Sequence, residues 1–178
     1  MRSALKNLYF IVVFFALNSE IVAQQILLPS DSCKDHDSSD IVSFADSVLE
    51  GEVKKALSIP QQKPLTCNLA ATLKQLDASG AGARRSVSGS PEWSDPDHLF
   101  HDLSGIQNLS SLTDLALRNR GLSDITPLAE LTDLVNLNLH TNWISDISPL
   151  RNLTKLVRLC IAENPLTDIH ALSELTEL

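Results

Sequence analysis

Leucine and isoleucine recur at a fixed spacing through the C-terminal part of the chain. Three units of 22 residues begin at Leu112, Leu134 and Leu156, and each follows the pattern LxxLxLxxNxLxDIxPLxxLTx with small departures. The LxL step has the period of two that is typical of a strand with one buried face. The later apolar positions lie on the part of the unit that leads back to the next strand, and a single unit cannot bury them alone. The pattern therefore predicts coils that stack on one another, with their strands as parallel neighbours.

Two polar positions of the repeat have a structural interpretation. Asn142 and Asn164 follow the strand, where an amide side chain can bond the buried backbone of adjacent coils, and Arg120 occupies that position in the first unit. Each unit also has an aspartate before the Ile-x-Pro-Leu segment or its variant, where we expect it to cap a short 3₁₀ or helical turn. A calcium site is the alternative, but calcium needs six or more oxygen ligands. The aspartates are Asp124, Asp146 and Asp168.

The N-terminus has the layout of a secretory signal peptide. Arg2 and Lys6 precede an apolar run at 8–17, and Ala23 offers a small residue for cleavage. The run is too short for a comfortable membrane span, so an uncleaved anchor is the less favoured alternative. We expect the signal peptide to occupy residues 1–23, and the protein to be secreted or held in the cell envelope or at the cell surface.

Four segments follow the signal peptide. We expect a polar linker at 24–43 and then a helical N-terminal cap at 44–72, because a stack of coils has an open end whose apolar interior must be covered. A first, irregular repeat follows at 73–111 and contains an inserted loop at 82–101 with glycine, serine, proline and charged residues. The three regular repeats occupy 112–178 and break off at the start of a fourth.

The repeat resembles the 22-residue class of leucine-rich repeats found in bacterial internalins. The resemblance is strong over 103–178 and weaker over 44–80, where the helical cap and first repeat of such proteins would lie. The departures are Arg120 for asparagine, His170-Ala171 for the x-Pro pair, and the inserted loop. The resemblance implies an α/β solenoid, curved and right-handed, with parallel strands on the concave face and short 3₁₀ or helical turns on the convex side. It also implies that the concave face binds a protein partner, without identifying that partner.

Composition and charge exclude some classes of partner and cofactor. The chain has a net charge of −8 and no basic stripe that could follow a phosphate backbone, so nucleic acid is not an expected partner. The three cysteines have no CxxC spacing, which argues against a zinc or redox motif. In an oxidising compartment Cys33 and Cys67 can pair and leave Cys160 free. We expect no cofactor, no metal and no stable membrane span after signal cleavage; the sequence does not determine the oligomeric state.

The side chains that alternate with the buried leucines of the strands form the candidate binding face. The face is small, mixed and polar, and arginine and tryptophan side chains are the preferred anchors on such a surface. An ordinary solvated sheet face is the alternative. We expect no catalytic residues: His140 and Cys160 could approach each other, but no orienting group or oxyanion donor accompanies them. The predicted binding residues are Asp114, Arg118, Asn136, Asn138, His140, Trp143 and Arg158.

Two further hypotheses stay open at this level. The last residues, SELTEL, are ordinary repeat sequence and not the polar cap that usually closes a solenoid. This favours the N-terminal fragment of a larger secreted protein whose activity, enzymatic or other, lies downstream. The other hypothesis is a hydrolase built on the inserted loop, where Asp95, Asp97, His98 and His101 lie close in sequence. A flexible acidic loop is the preferred interpretation, because no helix or strand fixes the geometry of a metal site there.

Overall fold

A computed structural model of the chain describes residues 24–80, 84–85, 91–92 and 102–178. The predicted signal peptide and most of the predicted inserted loop lie outside these residues. The strands assigned within the described ranges are β1 Gln75–Asp77, β2 Arg84–Arg85, β3 Pro91–Glu92, β4 Asp114–Ala116, β5 Asn136–Asn138 and β6 Arg158–Cys160.

Four of these strands, one from each coil, form a parallel sheet in the order β1-β4-β5-β6. Leu76, Leu115, Leu137 and Leu159 are Cα partners across it, and the first three are only 2–3% exposed. Each central leucine points into the core while its two strand neighbours point away, as the period of two predicts. The stacking by 22 residues is therefore confirmed, and the irregular first repeat supplies a strand of the same sheet. The short strands β2 and β3 pair antiparallel with each other, in the inserted stretch.

Each coil returns through a short 3₁₀ turn, and the turns of successive coils pack side by side. Pro127 and Pro149 stand in the first positions of two of these turns, where a missing N–H costs nothing. Leu128 and Leu150 point inward from them and are fully buried. The parallel sheet and these short turns fit a solenoid with an aliphatic core. The turns are Ile106–Asn108, Thr126–Glu130, Ser148–Asn152 and His170–Glu174.

The repeated aspartates hold the start of the turns. Asp124 Oδ1 accepts a hydrogen bond from the N–H of Thr126, two residues later, at 2.8 Å. Asp146 accepts the equivalent bond from Ser148 at 2.8 Å, and Asp168 accepts it from His170 at 2.7 Å. Each aspartate lies just before the N-cap residue, so it caps the turn from one position further out than a true N-cap. Hydrogen bonds from the Thr126 side chain and backbone lower the pKa of Asp124, and those from the Ser148 backbone and side chain lower the pKa of Asp146. Among the described residues, no group of three or more His, Cys, Asp or Glu side chains is placed to hold a metal.

Asparagine side chains tie each coil to the next. The Asn142 amide donates to the carbonyls of Leu117 and Leu139 at 2.9 Å, and its Oδ1 accepts from the N–H groups of Arg120 and Leu122 at 3.1 Å. Asn164 repeats the arrangement one coil later with Ile144, Leu139 and Ile161 as partners, as the repeat pattern predicts. The amide thus satisfies backbone groups that no strand pairing reaches.

Arg120 takes the asparagine position in the first regular coil and reaches further back. Its side chain is only 2% exposed, and its guanidinium donates to the carbonyls of Ala78 and Ser79. Burial lowers the pKa of Arg120, while the nearby carboxylates of Glu52, Asp46 and Asp77 oppose that shift. Ala78 is level with Leu117 in the parallel register, so the Arg120 bond to Ala78 O corresponds to the Asn142 bond to Leu117 O one coil later.

Two helices precede β1. The helix α1 Ser47–Ala56 begins at Asp46, whose carboxylate accepts from the N–H groups of Val48 and Leu49. The helix packs against β1 and buries Leu49 and Val53 completely. The second helix is α2 Cys67–Ala70, which Thr66 caps.

The segment 24–43 differs from the solvated linker that its polar composition indicated. Leu27 and Val42 are 1% and 2% exposed and belong to the same core as the leucines of the coils. A disulfide joins Cys33 to Cys67, and Asn108 bonds the backbone of the segment through both ends of its amide. The polar residues between the two buried apolar anchors are therefore held against the first coils.

Candidate binding face

The candidate site is the sheet surface that points away from the core, which we call the open sheet face. It consists of the residues that alternate with the central leucines of β1, β4, β5 and β6, together with Arg118 and His140, which continue that alternation past the ends of β4 and β5. Parallel register places these side chains in rows that run across the coils. Two rows lie on the strands; they are Gln75, Asp114, Asn136 and Arg158, and Asp77, Ala116, Asn138 and Cys160.

The first row is linked by side-chain hydrogen bonds. Asn136 donates to Asp114 Oδ1 at 2.6 Å, and Arg158 donates to Asn136 Oδ1 at 3.1 Å. The hydroxyl of Thr113 donates to the other oxygen of Asp114 at 2.7 Å. This Thr113 bond and the Asn136 bond lower the pKa of Asp114, with smaller help from Gln75 and Arg158. The row therefore carries an ionised carboxylate at Asp114 and a guanidinium at Arg158, two coils apart and joined through Asn136.

A third row continues past the strand ends. The backbone pairing extends there, since the N–H of Leu117 donates to Asn138 O and that of Asn119 donates to His140 O. Arg118 and His140 consequently lie beside each other on the open sheet face, with Arg118 exposed and His140 half-buried. Asn138 accepts a hydrogen bond from the His140 N–H at 3.1 Å, which fixes the turn after β5.

Trp143 occupies a different place from the other predicted residues. It follows Asn142 beyond the strand, and its backbone N–H donates to Leu122 O. Its side chain is 41% exposed, the kind of accessible aromatic surface that anchors partners. Trp143 therefore lies outside the rows of the strands, while the register brings the other six predicted residues onto the open sheet face.

Sequence reasoning missed Gln75 and Asp77, which β1 adds to the two strand rows. The irregular repeat obscured them, although Leu73, Leu76 and Ala78 keep the apolar spacing of a coil and are all buried. The pKa of Asp77 is lowered, first by hydrogen bonding to Ser79 and then by the charges of Arg118 and Arg120. The face thus combines carboxylates toward its β1 side with guanidinium groups at Arg118 and Arg158.

A groove of about 1120 Å³ runs along the open sheet face and is lined by all four strands of the parallel sheet. It continues onto the last coil, where Ile161, Leu172 and Leu178 line it with apolar side chains. The catalytic alternative on the inserted loop, with Asp95, Asp97, His98 and His101, lies outside the described residues. Among the described helices, none combines the length and the apolar composition that a membrane crossing requires.

Two solved structures place this fold among known proteins. An internalin, InlF, from Listeria monocytogenes resembles 76% of this chain with a TM-score of 0.64 and 29% sequence identity. The functional domain of InlJ from the same organism, which includes a cysteine ladder, resembles 80% of the chain with a TM-score of 0.50 and 23% identity. The chain spans only 35% and 33% of the lengths of these two structures. No family model matches the chain, and no curated protein matches it either.

These neighbours support a leucine-rich-repeat protein of the internalin-like type. The second likeness, at its lower identity, concerns the fold alone. The class agrees with the parallel sheet, the 3₁₀ turns and the asparagine contacts of this chain.

Proposed function

We propose that this chain is a protein-binding module of a secreted or cell-surface bacterial protein, and that it binds through the open sheet face as the concave side of a curved solenoid. The observation that carries the proposal is the face itself, where polar and charged side chains from four coils stand in register over one groove. Such a face offers hydrogen-bonding groups of both signs with little rearrangement, because neighbours already hold Asp114 and Asn136 in place. Preorganisation of this kind reduces the entropy lost on binding.

The two exposed arginines of the face supply the sharpest test. We expect the double variant Arg118→Ala, Arg158→Ala to lose most of the capture that the wild-type chain shows for its partner in a pull-down read by mass spectrometry. Arg151 is the matched control, since it is also exposed but lies in the 3₁₀ turn at Ser148–Asn152, away from the open sheet face. Equal capture by the double variant and the wild type would remove the claim for this face, and so would an equal loss in Arg151→Ala.

Secretion is part of the proposal and has its own support. The signal-like N-terminus precedes a chain in which Cys33 and Cys67 are joined by a disulfide, and disulfides persist in oxidising compartments outside the cytoplasm. N-terminal sequencing of protein recovered outside the cytoplasmic membrane should begin at Gln24. A product that still begins at Met1 would contradict cleavage.

We also propose that α1, α2 and the segment 24–43 cap the solenoid at its N-terminal end. Leu49 and Val53 cover the core beside β1, and Leu27 and Val42 extend that cover. Limited proteolysis should leave 24–80 attached to the coils as one resistant fragment. Early release of that segment with the coils intact would argue against a cap.

A second candidate function is that these coils are the N-terminal module of a larger secreted protein with its activity elsewhere. The observation that favours it is the exposure of the last coil. Ile169 is 61% exposed, whereas Ile147, its counterpart one coil earlier, is 1% exposed. A further coil or another cover would bury this surface. Reading the natural frame beyond the codon for Leu178, and measuring the mass of the natural protein, tests it directly; a stop codon at that point would count against it.

A further inference from the structure

Three side chains form a hydrogen-bonded chain at the edge of the open sheet face. The ring nitrogen Nδ1 of His140 lies 2.5 Å from the hydroxyl oxygen of Thr141, and that oxygen lies 3.1 Å from Oε2 of Glu163. Thr141 is only 6% exposed, so its hydroxyl depends on these partners. The repeat geometry creates the contact, because Thr141 and Glu163 occupy equivalent positions of successive coils with φ values of 55° and 58°.

For a neutral His140, one proton count along this chain satisfies both contacts. A threonine hydroxyl carries a single proton, and a carboxylate can only accept. If the hydroxyl donates to Glu163, then its contact with His140 requires Nδ1 to be the donor. A neutral imidazole has only one N–H, so Nε2 then carries a lone pair. Within the described part of the chain, Nε2 of His140 has no hydrogen-bond partner.

We propose that Thr141 and Glu163 are positioning residues that hold neutral His140 as its Nδ1–H tautomer, so that Nε2 offers the open sheet face a hydrogen-bond acceptor. The inference rests on the proposed function in one respect, that a partner binds this face. It then specifies the chemistry of that partner at His140, which must donate an N–H or O–H group. A histidine without such neighbours can present either a donor or an acceptor, and selecting one form sets specificity.

Heteronuclear NMR of the ¹⁵N-labelled chain tests the tautomer at alkaline pH, where imidazoles are neutral. Long-range ¹H–¹⁵N correlations distinguish the two ring nitrogens, and the His140→Gln variant assigns the signal. We expect the Nδ1–H form to predominate in the wild type and in Thr141→Ser, which keeps the hydroxyl. We expect it to lose that predominance in Thr141→Val, which keeps the shape, and in Glu163→Ala, which frees the hydroxyl to donate to Nδ1.

Two results would overturn the proposal. One is a wild-type His140 that is mainly the Nε2–H tautomer, and the other is a tautomer ratio that stays the same in Thr141→Val and Glu163→Ala. Glu174→Ala, which removes an exposed carboxylate in the last 3₁₀ turn, is the control and should leave the ratio unchanged. Amide spectra of the variants report folding separately. The NMR measurement uses the chain without a partner. It can therefore contradict the tautomer while the arginine capture test succeeds, and the capture test can fail while the NMR result supports the tautomer.

Discussion

Replacing Asn142 by alanine should destabilise the chain more than any other single amide truncation among the described repeats. The side chain is 1% exposed and makes four hydrogen bonds to backbone groups of two coils. Without the Asn142 amide, Leu139 O still accepts a hydrogen bond from Asn164. Three other backbone groups lose the hydrogen bond that the amide supplies: the N–H groups of Arg120 and Leu122, and the carbonyl of Leu117. Each buried group left unpaired costs ~1–3 kcal/mol, so the low end of that range already gives a loss of about 3 kcal/mol.

A loss of that size is measurable, because single domains unfold with roughly 5–15 kcal/mol in total. Urea unfolding followed by circular dichroism gives the change from the midpoint, provided that the slope stays constant. Two matched truncations show how large this loss of stability is compared with other asparagine side chains. Asn164→Ala should cost about 1–2 kcal/mol, since Asn164 is half-buried and water can replace part of its bonding. Asn138→Ala, on the open sheet face, should cost under about 1 kcal/mol. Equal losses in Asn142→Ala and Asn138→Ala would refute the assignment of the amide as the bond between coils.

Four further predictions concern the cap and the turns. Cys67→Ser should cost about 4 kcal/mol by loop entropy, because the Cys33–Cys67 bridge closes a separation of 34 residues, whereas Cys160→Ser should change the thermal midpoint little. Gly51→Ala should stabilise α1 by about 0.5–1 kcal/mol, since a Cβ there meets nothing closer than 3.7 Å. Gly105→Ala should destabilise in the same chemical denaturation assay, because φ is 107° and a Cβ would lie 2.7 Å from neighbouring atoms. Hydrogen bonds from Ser148 lower the pKa of the Asp146 carboxyl below the ordinary value of 3.8, so its contribution to stability is present above that value and is lost as pH falls through the folded pKa. The unfolding midpoint should therefore fall less between about pH 5 and about pH 2 in Asp146→Asn than in the wild type.

The regular coils could be predicted from sequence because each of their signals is local and repeated. The LxL step fixed the strands, and the 22-residue period fixed which leucines become Cα partners across the sheet. Asn142 and Asn164 followed from the need to satisfy buried backbone between coils, and the structure gives them those bonds. Six of the seven predicted binding residues lie on one face for the same reason, while their role in binding stays a prediction.

The first coil and the segment before it could not be predicted in the same way, because their contacts are not periodic. Polar composition at 24–43 indicated a linker, but composition does not show that Leu27 and Val42 meet the core of a distant segment. The contacts of Asn108 with Asp31 and Cys33 join residues that are 77 and 75 positions apart. The sequence shows that Arg120 breaks the repeat pattern. The partners of its guanidinium could be found only from the positions of the carbonyl oxygens of Ala78 and Ser79.

The two ends of the coil stack differ in how well their apolar residues are covered, and the strands of the open sheet face differ in the same way. At the β1 end, Arg120, α1 and the disulfide-linked segment bond to the first coils and bury their apolar positions. At the β6 end, Val157 is 46% exposed, and Leu159 is only half-buried where its partners Leu115 and Leu137 are 2–3% exposed. In a solenoid each coil gains stability only from its neighbours. Arg158 therefore stands on the strand whose central leucine is the least buried of the four, and Arg118 follows β4, which has β1 and β5 on either side.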